Sequence, residues 1–206
     1  MLFRSVCGRC SDACPANLTG KQLSPMHIVE GLKDHMVAIG HQGDRNADHV
    51  EPSPLLEGVI SETSIWDCLN CGACMEECPV TVEHVPTIMD MRRHLVLEES
   101  KVPETAMNAL LSLEQRGHPW RGTQYSRTDW AEGLDVPTLA DKPDAEVLFW
   151  VGCSPPLAQR SQAIARSMAK ASKAAGVNFA TLGDEETCTG EPARRMGTEY
   201  RFQILS

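Results

Sequence analysis

The 206-residue sequence has no long hydrophobic run, and its longest clear apolar stretch covers only residues 147–151. Because a membrane-spanning helix needs about 20 consecutive apolar residues, we predict no transmembrane segment in this chain. Basic residues are also scarce, since the formal net charge is −9. Binding to nucleic acid depends on a basic face, so no nucleic-acid partner is expected.

The sequence also lacks a glycine-rich phosphate loop and a recognisable nucleophile–base triad. We therefore predict that this chain supplies no catalytic side chains. Cysteine, by contrast, is abundant, with nine residues. An odd number of cysteines without a visible signal peptide argues against a disulfide framework. Reduced thiols predict a cytoplasmic location, either free or peripheral on the cytoplasmic face of a membrane.

Four of the cysteines follow the spacing C-x2-C-x2-C-x3-C-P, and they are Cys68, Cys71, Cys74 and Cys78. This is the bacterial ferredoxin spacing, in which three thiolates hold one 4Fe-4S cluster. The cysteine before the proline ligates the other cluster in two-cluster ferredoxins. The stretch therefore predicts a partner motif elsewhere in the chain.

The partner motif lies near the start of the sequence and consists of Cys7, Cys10 and Cys14, followed by Pro15. Exchange of the last cysteines predicts two clusters, one held by Cys68, Cys71, Cys74 and Cys14, the other by Cys7, Cys10 and Cys78. The spacing assigns the missing fourth ligand of the second cluster to position 4, which is Arg4. That site is expected to hold a 4Fe-4S cluster with a substitute ligand, a three-iron cluster or an incomplete one. A zinc-binding interaction module is the alternative, because cysteine pairs at this spacing also bind zinc.

Helical patterns follow both motifs. One helix is predicted from Pro25 to about Ala38, with Gly40 ending it. Another follows Pro79, and its Arg92 and Arg93 are expected on the solvated face. A further helix is predicted up to residue 116. The two histidines of the polar loop, at positions 41 and 49, are expected to be solvated rather than metal ligands.

The composition changes near residue 145, where residues 146–151 predict a buried strand. An alanine-rich helix, a second strand and a second helix follow, which is the start of an open parallel α/β domain. The predicted fold class is therefore α+β. Its predicted parts are a helical ferredoxin-like 4Fe-4S domain over residues 1–117, a linker over 118–144 and a partial cysteine-rich α/β domain over 145–206.

Cys153 and Cys188 each follow one of the two predicted strands. Because the carboxyl ends of parallel strands meet at one edge of a sheet, we expect the two cysteines to share a site there. That site is either a thiol pair or part of a further iron–sulfur centre. The alternative is two unrelated buried thiols.

The order of these features resembles the iron–sulfur oxidoreductases with a cysteine-rich C-terminal domain. They include heterodisulfide reductase catalytic subunits, glycolate oxidase iron–sulfur subunits and membrane-associated reductases linked to electron-transfer flavoprotein. Residues 66–80, 90–96 and 186–190 carry the likeness. The sequence departs from the family at Arg4, where members have cysteine, and at Cys188-Thr189-Gly190, where they have Cys-Cys-Gly.

The resemblance implies an oxidoreductase component that transfers electrons. Its donor would be a flavoprotein, and its acceptor a membrane quinone-reactive subunit or a thiol/disulfide centre. The alternative within the family is a heterodisulfide reductase that acts at Cys153 and Cys188. The second cysteine-rich repeat of the family is missing, so the chain is expected to be a piece of a longer polypeptide.

Overall fold

The computed structural model describes residues 6–42 and 53–206. The chain divides into two compact units, one ending at Lys101 and the other covering Val102–Ser206. This division lies before the helix that ends at Arg116, whereas the sequence prediction put the domain boundary after that helix. Arg4 and His49 lie outside the described residues, as does the side chain of His41.

The described part of the first unit contains six α-helices and no named strand. They are α1 (Arg9–Asp12), α2 (Pro15–Leu18), α3 (Pro25–Gln42), α4 (Glu62–Trp66), α5 (Ala73–Glu76) and α6 (His84–Leu97). The short helices α1 and α5 begin in the same way, after Gly8 and Gly72. Both glycines have a φ of 79°, a left-handed conformation that glycine adopts without strain. The two cysteine motifs therefore have the same local fold.

Side chains from α3, α4 and α6 form the core of this unit. Ile28, Ile65, Ile88 and Leu95 are each at most 3% exposed, and Leu23 before α3 is 1% exposed. Burial of these aliphatic groups is the main stabilising contribution to the packing of the three helices. The expected end of α3 at Gly40 is wrong, because the helix continues to Gln42. Glycine lowers helix stability without forbidding the helix.

The second unit contains five α-helices and two strands. They are α7 (Glu104–Arg116), β1 (Val147–Leu148), α8 (Ser154–Leu157), α9 (Gln159–Ala174), β2 (Phe179–Ala180), α10 (Glu191–Arg195) and α11 (Glu199–Leu205). Strands β1 and β2 pair in parallel, with Val147 opposite Phe179. The predicted strand–helix–strand order and the α+β class are confirmed.

Two details of the second unit differ from the sequence prediction. Val147 and Leu148 are 45% and 46% exposed, so β1 is not the buried strand that its apolar run suggested. Residues 118–144, predicted as a linker, lie within the second unit, and Trp130 from this segment is 2% exposed in its core. Phe149 contacts both Trp130 and Phe179 edge to face, with ring centroids about 6 Å apart. This segment packs as part of the α/β unit.

Candidate iron–sulfur and thiol sites

Four cysteines from the two motifs line one cavity of the first unit, and they are Cys14, Cys68, Cys71 and Cys74. Cys68 follows α4, Cys74 lies in α5, and Cys14 is the residue before α2. The remaining walls are apolar and include Leu23 and Ile88 of the core. These are the four cysteines that the exchanged-ligand pattern predicts for one cluster.

A second cavity is lined by Cys7, Cys10 and Cys78. Its other lining residues include Met26 and Val29, together with the charged pair Glu30 and Lys33. The sequence assigned the fourth ligand of this site to position 4, which lies outside the described residues. Each cavity thus contains cysteines from both motifs.

The thiol donors and their surroundings fit an iron–sulfur cluster. The Asn70 amide donates to the Cys68 sulfur at 3.4 Å, and the Val82 amide donates to the Cys78 sulfur at 3.3 Å. Such N–H···S bonds are a recognised determinant of cluster potential. A Cβ atom placed on Gly72 or Gly8 would meet no atom within 4 Å, so both glycines leave space beside their motif. Within residues 6–42 and 53–206, no three His, Cys, Asp or Glu side chains are grouped so as to hold a single metal ion.

Burial of the cluster cysteines changes their acidity. Desolvation raises the pKa of Cys10 and of Cys68, and it raises the pKa of Cys74 to about 11. The neighbouring cysteine charges contribute to the rise at Cys74. These thiols are therefore protonated in the iron-free protein at neutral pH. Iron must displace their protons when it binds, because thiolate is the ligand.

Arg92 corrects one sequence expectation, because it is buried rather than solvated. It is 3% exposed, while its neighbour Arg93 has 31% of its side chain exposed. The guanidinium of Arg92 donates hydrogen bonds to the backbone carbonyls of Ile65, Trp66 and Cys68. No pattern in the sequence indicated this burial, because the acceptors are carbonyl groups 24 to 27 residues away.

The second cysteine constellation lies in the second unit. Cys153 precedes α8, and Cys188 lies two residues before Gly190, the N-cap of α10. Both thiols pack in a small cluster around Leu113. A hydrogen bond from Cys188 is the largest cause that lowers the pKa of Cys153 to about 6, and the same contact raises the pKa of Cys188. The two thiols are therefore neighbours, and their role as a shared functional site stays a prediction.

Two charged residues that the sequence did not single out complete this constellation. Arg127 lies with its Nη2 at 3.5 Å from the Cys153 sulfur and its Nη1 at 4.0 Å from Glu186 Oε1. Glu186 is 3% exposed and accepts hydrogen bonds from the amides of Val151 and Gly152. Arg127 was hidden in the predicted linker. Glu186 stood two residues before Cys188, inside the stretch that carried the family resemblance, but its partners are distant in sequence.

Comparison with known families agrees with the cysteine pattern. Residues 5–83 match the 4Fe-4S dicluster domain. The matched residues lie within the first unit. They include the two cysteine motifs, and the predicted resemblance to iron–sulfur proteins is confirmed.

Curated relatives extend the likeness over both units. The chain is 37% identical over 237 aligned residues to the probable iron-sulfur-binding oxidoreductase FadF of Bacillus subtilis. The alignment covers 97% of this chain and 34% of FadF. It is 34% identical to the EtfAB:quinone oxidoreductase of Syntrophomonas wolfei, covering 97% of this chain and 31% of that protein. It is 27% identical to one of the heterodisulfide reductase subunits of Methanosarcina barkeri, covering 93% and 46% respectively.

The chain spans about a third of the length of the FadF and EtfAB:quinone oxidoreductase relatives. No solved structure matches it significantly. Among the described residues, no helix has both the length and the apolar character that crossing a membrane requires. The relatives are named oxidoreductases or components of a reductase, which agrees with the predicted class of protein.

Proposed function

We propose that this chain is the iron–sulfur electron-transfer part of an oxidoreductase and holds two clusters with exchanged cysteine ligands. The observation that carries the proposal is the mixed origin of the cysteines in each cavity. Cys14 of the first motif lines the cavity of Cys68, Cys71 and Cys74, and Cys78 of the second motif lines the cavity of Cys7 and Cys10. When bound, each cluster supplies one-electron redox chemistry, and the protein adjusts its potential through burial and N–H···S bonds.

The proposed electron donor is a flavoprotein, and the proposed acceptor is a quinone-linked membrane subunit. The name of the Syntrophomonas relative, EtfAB:quinone oxidoreductase, supports this pair for the family. A relative from Chromohalobacter salexigens is 37% identical and is named a probable membrane-anchored ferredoxin. This name supports electron transfer by this chain at a membrane surface. Oxygen-sensitive clusters and reduced thiols favour the cytoplasmic side of that membrane.

The decisive experiment counts iron and acid-labile sulfide in anaerobically purified protein and records low-temperature EPR spectra. About eight irons are expected for two cubanes. About seven irons with an oxidised three-iron signal would indicate that the cluster at Cys7, Cys10 and Cys78 lacks one iron, because Arg4 supplies no ligand. Bound zinc without labile sulfide would refute the electron-transfer proposal and support the zinc-binding alternative.

The exchange of ligands is tested by two matched variants. Cys14→Ser should disturb the cluster of Cys68, Cys71 and Cys74 and leave the other EPR signal unchanged. Cys78→Ser should do the reverse. Cys188→Ser serves as the control, because it removes a thiol that lines neither cavity. The exchanged arrangement would be contradicted if Cys14→Ser removed the signal of the cluster at Cys7 and Cys10, or if Cys78→Ser removed the signal of the cluster at Cys68, Cys71 and Cys74.

A second candidate function is thiol–disulfide chemistry at Cys153 and Cys188, which the contact with Arg127 favours. In this scheme the Cys153 thiolate attacks one sulfur of a small disulfide, forms a mixed disulfide and releases one thiolate. Cys188 then loses its proton and attacks the Cys153 sulfur, which releases the second thiolate and leaves a Cys153–Cys188 disulfide. Two electrons, supplied in this scheme by the iron–sulfur clusters, and one proton restore the Cys153 thiolate and the Cys188 thiol. Cys153→Ser should abolish reduction of a disulfide substrate without changing the iron content, and unchanged reduction would refute this candidate.

A further inference from the structure

Arg92 lies on α6 with its side chain inside the first unit, while the side chain of the adjacent Arg93 is partly exposed. Arg93 pairs with Asp90 at 2.5 Å on the surface. Successive residues of an α-helix point about 100° apart, so neighbours in sequence can face opposite environments. A buried arginine is unusual unless its donors are satisfied. The donors of the Arg92 guanidinium must therefore find acceptors inside the first unit.

The hydrogen bonds of Arg92 converge on the short segment that leads into the ferredoxin motif. Its Nη2 donates to the carbonyl oxygens of Cys68 at 2.6 Å, Ile65 at 2.8 Å and Trp66 at 3.3 Å. Its Nε donates to Ile65 at 3.2 Å, and its Nη1 donates to Asn70 Oδ1 at 3.4 Å. Residues 65–70 end α4 and contain the first cluster cysteine of this motif. One planar guanidinium therefore holds the backbone on both sides of Cys68.

Trp66 provides a second contact with the same side chain. The Arg92 guanidinium carbon lies 5.1 Å from the centroid of the Trp66 ring, which is within cation–π range. The indole nitrogen of Trp66 donates to Glu62 at 3.1 Å, so the ring orientation is fixed from the other side. Lysine has a single charged amine and cannot make this forked set of bonds.

The positive charge of Arg92 lies close to the same cysteine, because its Nη2 is 2.6 Å from the Cys68 carbonyl oxygen. Inside a protein such a charge acts more strongly than it would in water, because the effective dielectric constant is lower.

We propose that Arg92 is the positioning residue of the cluster held by Cys14, Cys68, Cys71 and Cys74, and that its charge raises the reduction potential of that cluster. This inference rests on the proposed function. Reduction adds a negative charge to the cluster, and a nearby cation stabilises the reduced state more than the oxidised one. Net charge and hydrogen bonding are both recognised determinants of cluster potential. Arg92 therefore acts on the electron carrier through the backbone and charge around one ligand.

Two substitutions separate the two parts of the proposal, and a third is the control. Arg92→Gln removes the charge and keeps a polar group, Arg92→Lys keeps the charge and loses the fork, and Arg93→Gln changes the exposed neighbour. The potential of each cluster is measured by EPR-monitored redox titration of the anaerobic protein. Hydrogen exchange at the amides of residues 65–70 is measured in the iron-free protein.

We expect Arg92→Gln to lower the equilibrium constant for reduction of the cluster at Cys68 at least tenfold, which lowers its potential by about 59 mV for a one-electron couple. Arg92→Lys should change this constant less than threefold, and Arg93→Gln should leave the potentials of both clusters unchanged. Loss of about four irons in Arg92→Gln, with the second cluster retained, would also support the local assignment. Both clusters present at wild-type potentials, or both lost together, would overturn it.

Hydrogen exchange keeps this proposal separate from the proposed function. A wild-type protein without iron would refute the proposed function, and the positioning role would still be judged by the iron-free measurement. Exchange at residues 65–70 should be at least tenfold faster in Arg92→Gln than in Arg93→Gln. Equal exchange in these two variants would overturn the positioning role.

Discussion

The low pKa of Cys153 gives a quantitative test of the second cysteine site. The hydrogen bond from Cys188 and the neighbouring Arg127 lower this pKa from an ordinary 9.0 to about 6. At pH 7 the thiolate fraction is therefore roughly 90-fold greater than that of an ordinary thiol. A more acidic thiolate is also less nucleophilic, by roughly 20-fold over this interval with a Brønsted coefficient of about 0.45. The net gain in alkylation rate is only about fourfold at pH 7, but about 40-fold at pH 5.

The assay follows iodoacetamide labelling of Cys153 by peptide mass spectrometry between pH 4 and pH 10. Wild-type labelling should rise with a midpoint near pH 6, because the thiolate exists above its pKa. Arg127→Gln should move the midpoint upward and remove part of the advantage at pH 5. Arg121→Gln is the matched control, since this exposed arginine hydrogen-bonds Asn108 at the surface.

Cys188 is tested in the same assay, because its hydrogen bond is the largest cause of the shift. Cys188→Ala removes the donor and should raise the midpoint, while Cys188→Ser keeps a hydroxyl donor and should raise it less. A wild-type midpoint near pH 9 would refute the electrostatic reasoning for the whole site. A midpoint that is unchanged in Arg127→Gln would show that the arginine does not act on this thiol.

Three further predictions concern the first unit. Gly72→Ala should destabilise the iron-free unit by roughly 1–2 kcal/mol, because alanine is strained at a φ of 79°; an unchanged denaturation midpoint would contradict this. Ile88→Ala should lower the free energy of unfolding by about 2–5 kcal/mol in a urea titration, since Ile88 is 0% exposed. Met36 is 61% exposed, so Met36→Ala should change this free energy little. In iron-free protein at pH 8, Cys74 should be alkylated more slowly than the exposed Cys71, because burial raises the Cys74 pKa to about 11, and equal labelling rates would contradict this.

The cysteine grouping of the first unit could be predicted because ligand spacing is a local property of the sequence. The two cavities contain the cysteine sets that the spacing predicted. Arg92 and Arg93 could not be told apart, because which one is buried depends on carbonyl acceptors brought to α6 by the fold. Arg127 was missed for the same reason, since Cys153 is 26 residues away. The exposure of β1 was missed because an apolar run indicates a strand without showing what covers it.

The two cavities differ in ways that should give the two clusters different potentials. Apart from its cysteines, the cavity of Cys14 has apolar walls, and the Arg92 guanidinium lies behind its Cys68 backbone. The cavity of Cys7 is lined by Glu30, Lys33 and His84 as well as apolar groups. Exposure, charge and hydrogen bonds to sulfur together set the potential of a cluster.

A redox titration of the wild-type protein should therefore resolve two midpoints, of which Arg92→Gln moves one. Glu30→Gln should move the other, because this substitution removes a negative charge from the wall of the Cys7 cavity. Loss of that charge favours the reduced cluster, so the midpoint should rise. A single midpoint for both clusters, or a shift of both by either substitution, would show that the walls of the cavities do not control the potentials separately.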